Sequence, residues 1–126
     1  MKQTQKEWAR YIQDEIKKND SYDNYKHAFI EYRDYLEKCL LENPKNVEVI
    51  CQLAAVYNEL NYQWDDIYKL LNEFIKKYEN ELTDEEKSRI YTNLGFYYDD
   101  QRYGSKRAIR TLRKAVTFNP NNSKAY

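Results

Sequence analysis

Apolar residues recur at helical spacing along almost the whole chain, and little interrupts them. Only two glycines and two prolines occur among the 126 residues. Steps of three and four residues place side chains on one helix face, whereas a strand needs strict alternation, which persists nowhere in this sequence. All-β sandwiches also need turn residues about every 8–12 positions. The sequence therefore predicts an all-α fold.

Short polar breaks divide this periodic pattern into six predicted helices, which form three pairs. The second and sixth helices are predicted to end before Pro44 and Pro120, because proline disfavours helix in the residue before it. Thr83 and Glu86 have the spacing of a capping box, in which each side chain bonds to the backbone amide of the other residue. The remaining breaks are predicted at residues 19–21, 61–63, 79–82 and 103–105.

The chain carries 21 basic and 21 acidic residues, so its formal net charge is zero. Neutral charge argues against a general nucleic-acid binder, because such proteins neutralise phosphates with an excess of Lys and Arg. Aromatic residues make up 16% of the chain, which argues against disorder because disordered chains are poor in aromatics. One folded domain over residues 1–126 is therefore predicted.

The sequence predicts a cytoplasmic protein that does not enter the membrane. No apolar stretch typical of a signal peptide follows the N-terminal residues. The longest mostly apolar run, residues 49–58, is far shorter than a membrane span. Cys39 and Cys51 fall inside predicted helices and are interpreted as reduced thiols that fill core space. A disulfide or redox pair is the alternative.

Two stretches repeat the same order of side-chain sizes. A bulky residue is followed after three positions by Leu, then by a very small residue, and three positions later by Tyr. The small residue lets two antiparallel helices cross closely, which explains why Gly95 is tolerated although it costs a helix about 1 kcal/mol against Ala. The two stretches are Ile50, Leu53, Ala54, Tyr57 and Tyr91, Leu94, Gly95, Tyr98; a second echo joins Tyr32, Leu36, Cys39, Pro44 to Ala108, Leu112, Ala115, Pro120.

These residues resemble the tetratricopeptide repeat (TPR) family. The last unit matches best, with one extra residue in its turn. The middle unit has Ile67 where the second helix usually carries a small residue, and the first unit matches only in its second helix, with Tyr32 at that place. The resemblance implies a TPR-like right-handed superhelix, an α–α solenoid of three helix pairs, with approximate units 5–44, 46–82 and 88–122.

The resemblance also implies a binding groove. In the family, the first helix of each pair lines the concave face, so non-core side chains of the third and fifth helices are expected to contact a ligand. The basic residues that a carboxylate clamp requires are missing from the middle unit. An aromatic residue with flanking acids suits a segment that carries basic residues. The candidate groove residues are Glu48, Cys51, Gln52, Ala55, Asn58, Glu59, Arg89, Thr92, Asn93, Phe96, Asp99 and Asp100.

Charges are segregated along the chain although they balance overall. Residues 79–86 contain five acids and no base, and residues 101–114 contain six bases and no acid. One interpretation is a solvated face on each stretch, mutually attractive across the fold. The other is a basic stripe that meets an acidic protein partner or, less favoured, a nucleic-acid backbone. Helical spacing would align Arg102, Lys106, Arg110 and Arg113 in one row.

Little in the sequence points to catalysis, a metal or a cofactor, and none is predicted. His27 is the single histidine and has Asp23 and Glu31 four residues away on either side. A metal site would need further ligands, and a solvated face with i,i+4 pairs explains the spacing. No Gly-rich phosphate loop and no supported Ser/His/Asp set occur. The paired carboxylates at residues 65–66 and 99–100 fall at predicted helix ends or turns, where solvation and capping explain them.

The predicted function is a non-catalytic protein–protein interaction module, freestanding or part of a larger scaffold or regulator. One alternative is a small cytosolic antagonist, such as an immunity protein that neutralises a toxin by covering it; a second is a carboxylate/His enzyme or metal protein. Residues 120–126 look like the start of another first helix. Because repeat arrays normally end in a polar capping helix, we expect the sixth helix to be exposed or covered by a partner or a second copy.

Overall fold

The structure is a computed structural model that describes residues 4–18, 21–97 and 105–121. Within these ranges it contains six α-helices, one short 3-10 helix over Glu79–Glu81, and no strand, so the predicted all-α class is confirmed. None of these helices combines the length and apolar character needed to cross a bilayer. The helices are α1 (Gln5–Lys18), α2 (Tyr22–Glu42), α3 (Val47–Glu59), α4 (Trp64–Tyr78), α5 (Asp84–Tyr97) and α6 (Ser105–Phe118).

Local hydrogen bonds explain where α3 and α5 begin. The capping box before α5 is confirmed: the Thr83 amide donates to Glu86 Oε1 at 2.9 Å, and the Glu86 amide donates to Thr83 Oγ1 at 3.1 Å. At the start of α3, Asn46 Oδ1 accepts a bond from the Val49 amide at 3.2 Å. Beyond the end of α3, Asn61 has φ of 62°, a left-handed conformation that asparagine tolerates.

Helix α3 is buried on two sides and joins the two halves of the core. Val49, Leu53 and Val56 pack with residues of α1 and α2. On another side, Ile50 and Ala54 pack with residues of α4 and α5. Neighbouring helices contact each other in chain order from α1 to α6, and α3 also contacts α5 directly.

Aromatic rings hold α1 against α2. The ring of Trp8 stacks on Tyr32 with centroids 5.3 Å apart and lies 5.2 Å from the centroid of Tyr35. Tyr11 meets Trp8 edge to face at 5.9 Å. Such pairs contribute about 0.5–1.5 kcal/mol beyond the apolar area that they bury. The large Tyr32 therefore serves as a platform for Trp8 in the first helix pair.

Helices α5 and α6 pack closely where the sequence has Gly95. A Cβ atom added to this glycine would lie 2.6 Å from Leu112 Cδ2 and 2.8 Å from Leu112 Cγ. Real side chains essentially never approach so closely, so the absence of a side chain is what permits the contact. The predicted packing role of Gly95 is confirmed. Tyr98 and most of the predicted turn at 103–105 lie outside the described residues.

A stack of two rings between two lysines adds to the contact between α5 and α6. The rings of Tyr91 and Phe118 are nearly parallel, with centroids 5.9 Å apart. Lys114 Nζ lies 4.6 Å from the centroid of Tyr91, and Lys87 Nζ lies 5.2 Å from the centroid of Phe118. Each cation–π contact is worth about 0.5–1 kcal/mol at an exposed site.

Replacing Gly95 by Leu is expected to lower the free energy of unfolding by about 1–3 kcal/mol, because the new side chain overpacks against Leu112. Urea unfolding followed by circular dichroism measures the change. Ala9→Leu adds the same side chain to an exposed position of α1 and is the matched control, with a change within about 0.5 kcal/mol. Equal urea midpoints for the two variants would contradict the packing role of Gly95.

Candidate functional site

A polar strip of α3 that the core leaves uncovered borders two adjoining cavities. One lies between α3 and α5 and has a volume of about 440 Å³. The other lies mainly between α1 and α3, with a floor from α2, and has a volume of about 410 Å³. Gln52 and Ala55 line both cavities, so the two adjoin along α3, and we name them together the Gln52 groove. Its further lining residues are Gln5, Lys6, Ala9, Ile12, Gln13, Phe29, Tyr32, Cys51, Val56, Glu59, Glu85, Arg89, Thr92, Asn93, Phe96 and Asn119.

The structure brings together most of the side chains that the sequence assigned to a binding groove. Asn58 lies outside the lining: its Oδ1 accepts a hydrogen bond from Trp64 Nε1 at 2.9 Å, which turns it toward α4. Glu48 also lies outside the lining, but it forms an ion pair with Arg89, which lines the groove. Asp99 and Asp100 lie outside the described residues. The assigned residues in the lining are Cys51, Gln52, Ala55, Glu59, Arg89, Thr92, Asn93 and Phe96.

Helix α1 supplies a wall of the groove that the repeated pattern did not assign. Gln5, Ala9 and Gln13 follow one another at four-residue spacing and therefore lie on one line of the helix. This line runs beside the buried line of Trp8 and Ile12. This four-residue spacing is visible in the sequence. The first unit resembles the repeat only in its second helix, however, so the resemblance assigned no residue of α1 to the groove. Glu85 and Asn119 are two further lining residues that were not assigned.

A chain of polar contacts crosses the groove from α3 to α5. Gln52 Nε2 donates to Glu48 Oε1 at 3.3 Å, and Arg89 Nη2 lies 2.8 Å from Glu48 Oε2. Asn93 Nδ2 donates to the carbonyl oxygen of Arg89 at 3.1 Å. The Glu48 and Arg89 side chains are each 42% exposed, and exposed ion pairs contribute about 1 kcal/mol or less. A ligand can therefore displace this pair at little cost.

Phe96 and Cys51 give the α5 side of the groove an apolar component. The Phe96 side chain is 55% exposed, although it is large and apolar. Cys51 is 3% exposed, and burial raises the pKa of its thiol to about 12, although the Arg89 guanidinium acts in the opposite direction. Thr92 is also buried, and its hydroxyl donates to the carbonyl oxygen of Ser88 at 2.8 Å. Phe96 is thus the large apolar surface that this part of the groove offers.

His27 lies in a separate cluster between α1 and α2. Its Nε2 atom is 3.4 Å from Oε1 of Glu15, which belongs to the other helix. A hydrogen bond with Glu31, followed by burial, raises the pKa of Tyr11 to about 12. In the part of the chain that the structure describes, no group of three or more His, Cys, Asp and Glu side chains is placed to hold a metal ion.

Three members of the predicted basic stripe lie exposed along α6. These are Lys106, Arg110 and Arg113, whereas Arg102 lies outside the described residues. Ile109, on the same helix, is 47% exposed and adds an apolar side chain. In the acidic stretch, Glu81 forms an ion pair with Lys45 in the loop between α2 and α3. The stripe remains an unassigned charged surface of the last described helix.

Comparison with known proteins gives a partial similarity and no family. No family model and no solved structure matches the chain. Over 59 residues, 47% of this chain, the sequence is 32% identical to the sporozoite surface protein P36p of Plasmodium falciparum (isolate 3D7). The chain spans only 12% of the length of that protein. This coverage is too small to assign the chain to a family.

Cys51 is expected to react very slowly with iodoacetamide in the folded protein near neutral pH. The raised pKa leaves little thiolate, which is the nucleophile, and burial blocks access to the sulfur. Mass spectrometry of the Cys39→Ser variant follows this thiol alone, and the same variant in urea provides the reference rate. Equal rates in the folded and unfolded protein would show that the floor of the groove is open.

Proposed function

We propose that the chain is a protein–protein interaction module that holds an extended segment of a partner protein in the Gln52 groove. The observation that carries the proposal is that two adjoining cavities, which share Gln52 and Ala55, extend across α1, α3 and α5. A strand-like segment advances about 3.3 Å per residue, so several of its residues would contact three helices in succession. Gln52 and Ala55, which line both cavities, are at the centre of this path.

The side chains of the groove suit the backbone of such a segment. Gln13, Gln52 and Asn119 carry carboxamides, which both donate and accept hydrogen bonds and therefore complement peptide groups in either direction. Phe96 offers an apolar contact for one side chain of the partner. Glu59 and Glu85 of the lining can pair with Lys or Arg of a partner, and Lys6 and Arg89 of the same lining can pair with its acids.

We also propose that the helices form a TPR-like right-handed superhelix. The order of helix contacts along the chain, together with the direct contact between α3 and α5, supports this arrangement. Ala54 and Gly95, the small residues of the repeated pattern, are both buried, as close helix crossing requires. The Gln52 groove would then lie on the concave face.

Binding rather than catalysis fits the chemistry of the groove. The one thiol that lines it, Cys51, has a pKa of about 12 and is therefore held protonated near neutral pH. Both cysteines are free thiols, which supports a reducing compartment such as the cytoplasm. We therefore propose a non-catalytic binder in the cytoplasm, freestanding or as part of a larger scaffold.

Phe96→Ala combined with Gln52→Ala is expected to weaken binding of the partner at least tenfold, which corresponds to about 1.4 kcal/mol. Partners are first captured by a photo-crosslinking amino acid placed at Ala55 in the groove, and affinities are then measured by titration calorimetry with the purified partner. The double variant removes the aromatic contact and a central carboxamide.

Asn58→Ala is the matched control, because Asn58 lies on the same helix but outside the lining of the groove. It should leave the affinity within about twofold of the wild type, a change of about 0.4 kcal/mol. If the double variant binds as tightly as the control, the Gln52 groove is not the binding site.

A further inference from the structure

A second groove opens between α2 and α4 and is larger than either cavity described above. Its volume is about 580 Å³, within the range of about 300–1,000 Å³ that is typical of ligand sites. Most of its walls are apolar. We name it the Leu41 groove; its lining residues are Glu37, Leu40, Leu41, Pro44, Ile50, Leu53, Tyr57, Leu70, Glu73, Phe74, Lys77 and Tyr78.

The two grooves lie on opposite faces of α3. Ile50, Leu53 and Tyr57 line the Leu41 groove, whereas Gln52 and Ala55 line the Gln52 groove. With 3.6 residues per turn, the mean directions of these two sets differ by about 160° around the helix axis. A ligand in one groove therefore does not contact the other.

Apolar surface is concentrated in the Leu41 groove. Its floor consists of core residues, because Ile50, Leu53 and Phe74 are almost completely buried. At its rim, Leu41 is 84% exposed, the highest value among the large apolar side chains exposed in the described part of the chain. A single exposed leucine is ordinary, but this one borders an apolar cavity.

The charges at the rim are biased toward the negative sign. Glu37 accepts a hydrogen bond from the Tyr57 hydroxyl at 2.7 Å, which holds the carboxylate at the edge of the groove. Glu73 is exposed on the α4 side. The single base of the lining, Lys77, has its Nζ atom 5.4 Å from the ring centroid of Tyr78. Two carboxylates thus face an apolar cavity from opposite walls.

We propose that the Leu41 groove docks a short segment of a second partner protein, one that presents a large apolar side chain next to Lys or Arg. The apolar side chain enters between α2 and α4 and packs on Phe74 and Leu53, while its basic neighbour pairs with Glu37 or Glu73. This site is independent of the proposed function of the Gln52 groove. One chain would therefore hold two partners on opposite faces of α3.

A displayed library of random peptides tests this proposal. The library is selected on the wild-type chain and counter-selected on Leu41→Ser, which removes apolar surface without adding a charge, so that only peptides that need the Leu41 groove remain. We expect the remaining peptides to share a large apolar residue beside Lys or Arg. A library that yields no peptide dependent on Leu41, or one whose dependent peptides are acidic, overturns the proposal.

Fluorescence anisotropy with the best selected peptide then locates the site. Leu41→Ser and Glu73→Lys should each weaken its binding at least tenfold, because one removes apolar contact and the other reverses a rim charge. Both residues are exposed, so neither variant is expected to change the thermal midpoint. Ile16→Ser and Asp14→Lys make the same kinds of change at exposed positions of α1 and should leave binding unchanged.

Phe96→Ala separates the two grooves. It should leave binding of the selected peptide unchanged even if it abolishes binding in the Gln52 groove. Loss of peptide binding in Phe96→Ala would assign the peptide to the Gln52 groove and overturn the proposal. Self-association of the wild type that Leu41→Ser abolishes, measured by analytical ultracentrifugation, would show that a second copy occupies the groove and would also overturn the proposal.

Discussion

The burial of α3 on two sides at once is the constraint on which the rest of the structure depends. Between Glu48 and Glu59 this helix has no charged residue, so it can enter two apolar clusters without burying a charge. One cluster ties it to α1 and α2, and the other to α4, α5 and α6. Two strips of the helix surface border the two grooves. The strip beside the Gln52 groove has carboxamide and charged neighbours, whereas the strip beside the Leu41 groove has leucine and aromatic neighbours. The two grooves therefore differ in chemistry.

The sequence allowed the helices and their ends to be predicted because the residues responsible act locally. The capping box of Thr83 and Glu86 needs only four residues of chain, and helical periodicity needs only one helix. The tight contact at Gly95 was also predictable, since a glycine weakens a helix and is best tolerated where a second helix must pass closely. The composition of the α3 and α5 walls followed from the repeated pattern.

Features that depend on distant pairs of residues could not be predicted. The α1 wall of the Gln52 groove exists because Trp8 stacks on Tyr32, which sets where α1 lies on α2. Asn58 was assigned to the groove from its helix position, but its bond to Trp64 turns it away. The Leu41 groove depends on the spacing between α2 and α4, which no pattern within either helix specifies. In each case the packing of one helix on another decides what a side chain can contact.

Lys87 and Lys114 lie against aromatic rings, and the stack of these rings affects how the chain responds to ionic strength. Dissolved ions screen exposed ion pairs such as Glu48–Arg89, because their attraction acts through solvent. Stacked rings bury apolar surface, and excluded salts such as sulfate strengthen that burial. Concentrated sulfate would thus loosen the polar contacts that cross the Gln52 groove while α6 stays attached to α5. The exposed ion pair and the stacked rings of this protein consequently respond to salt in opposite directions.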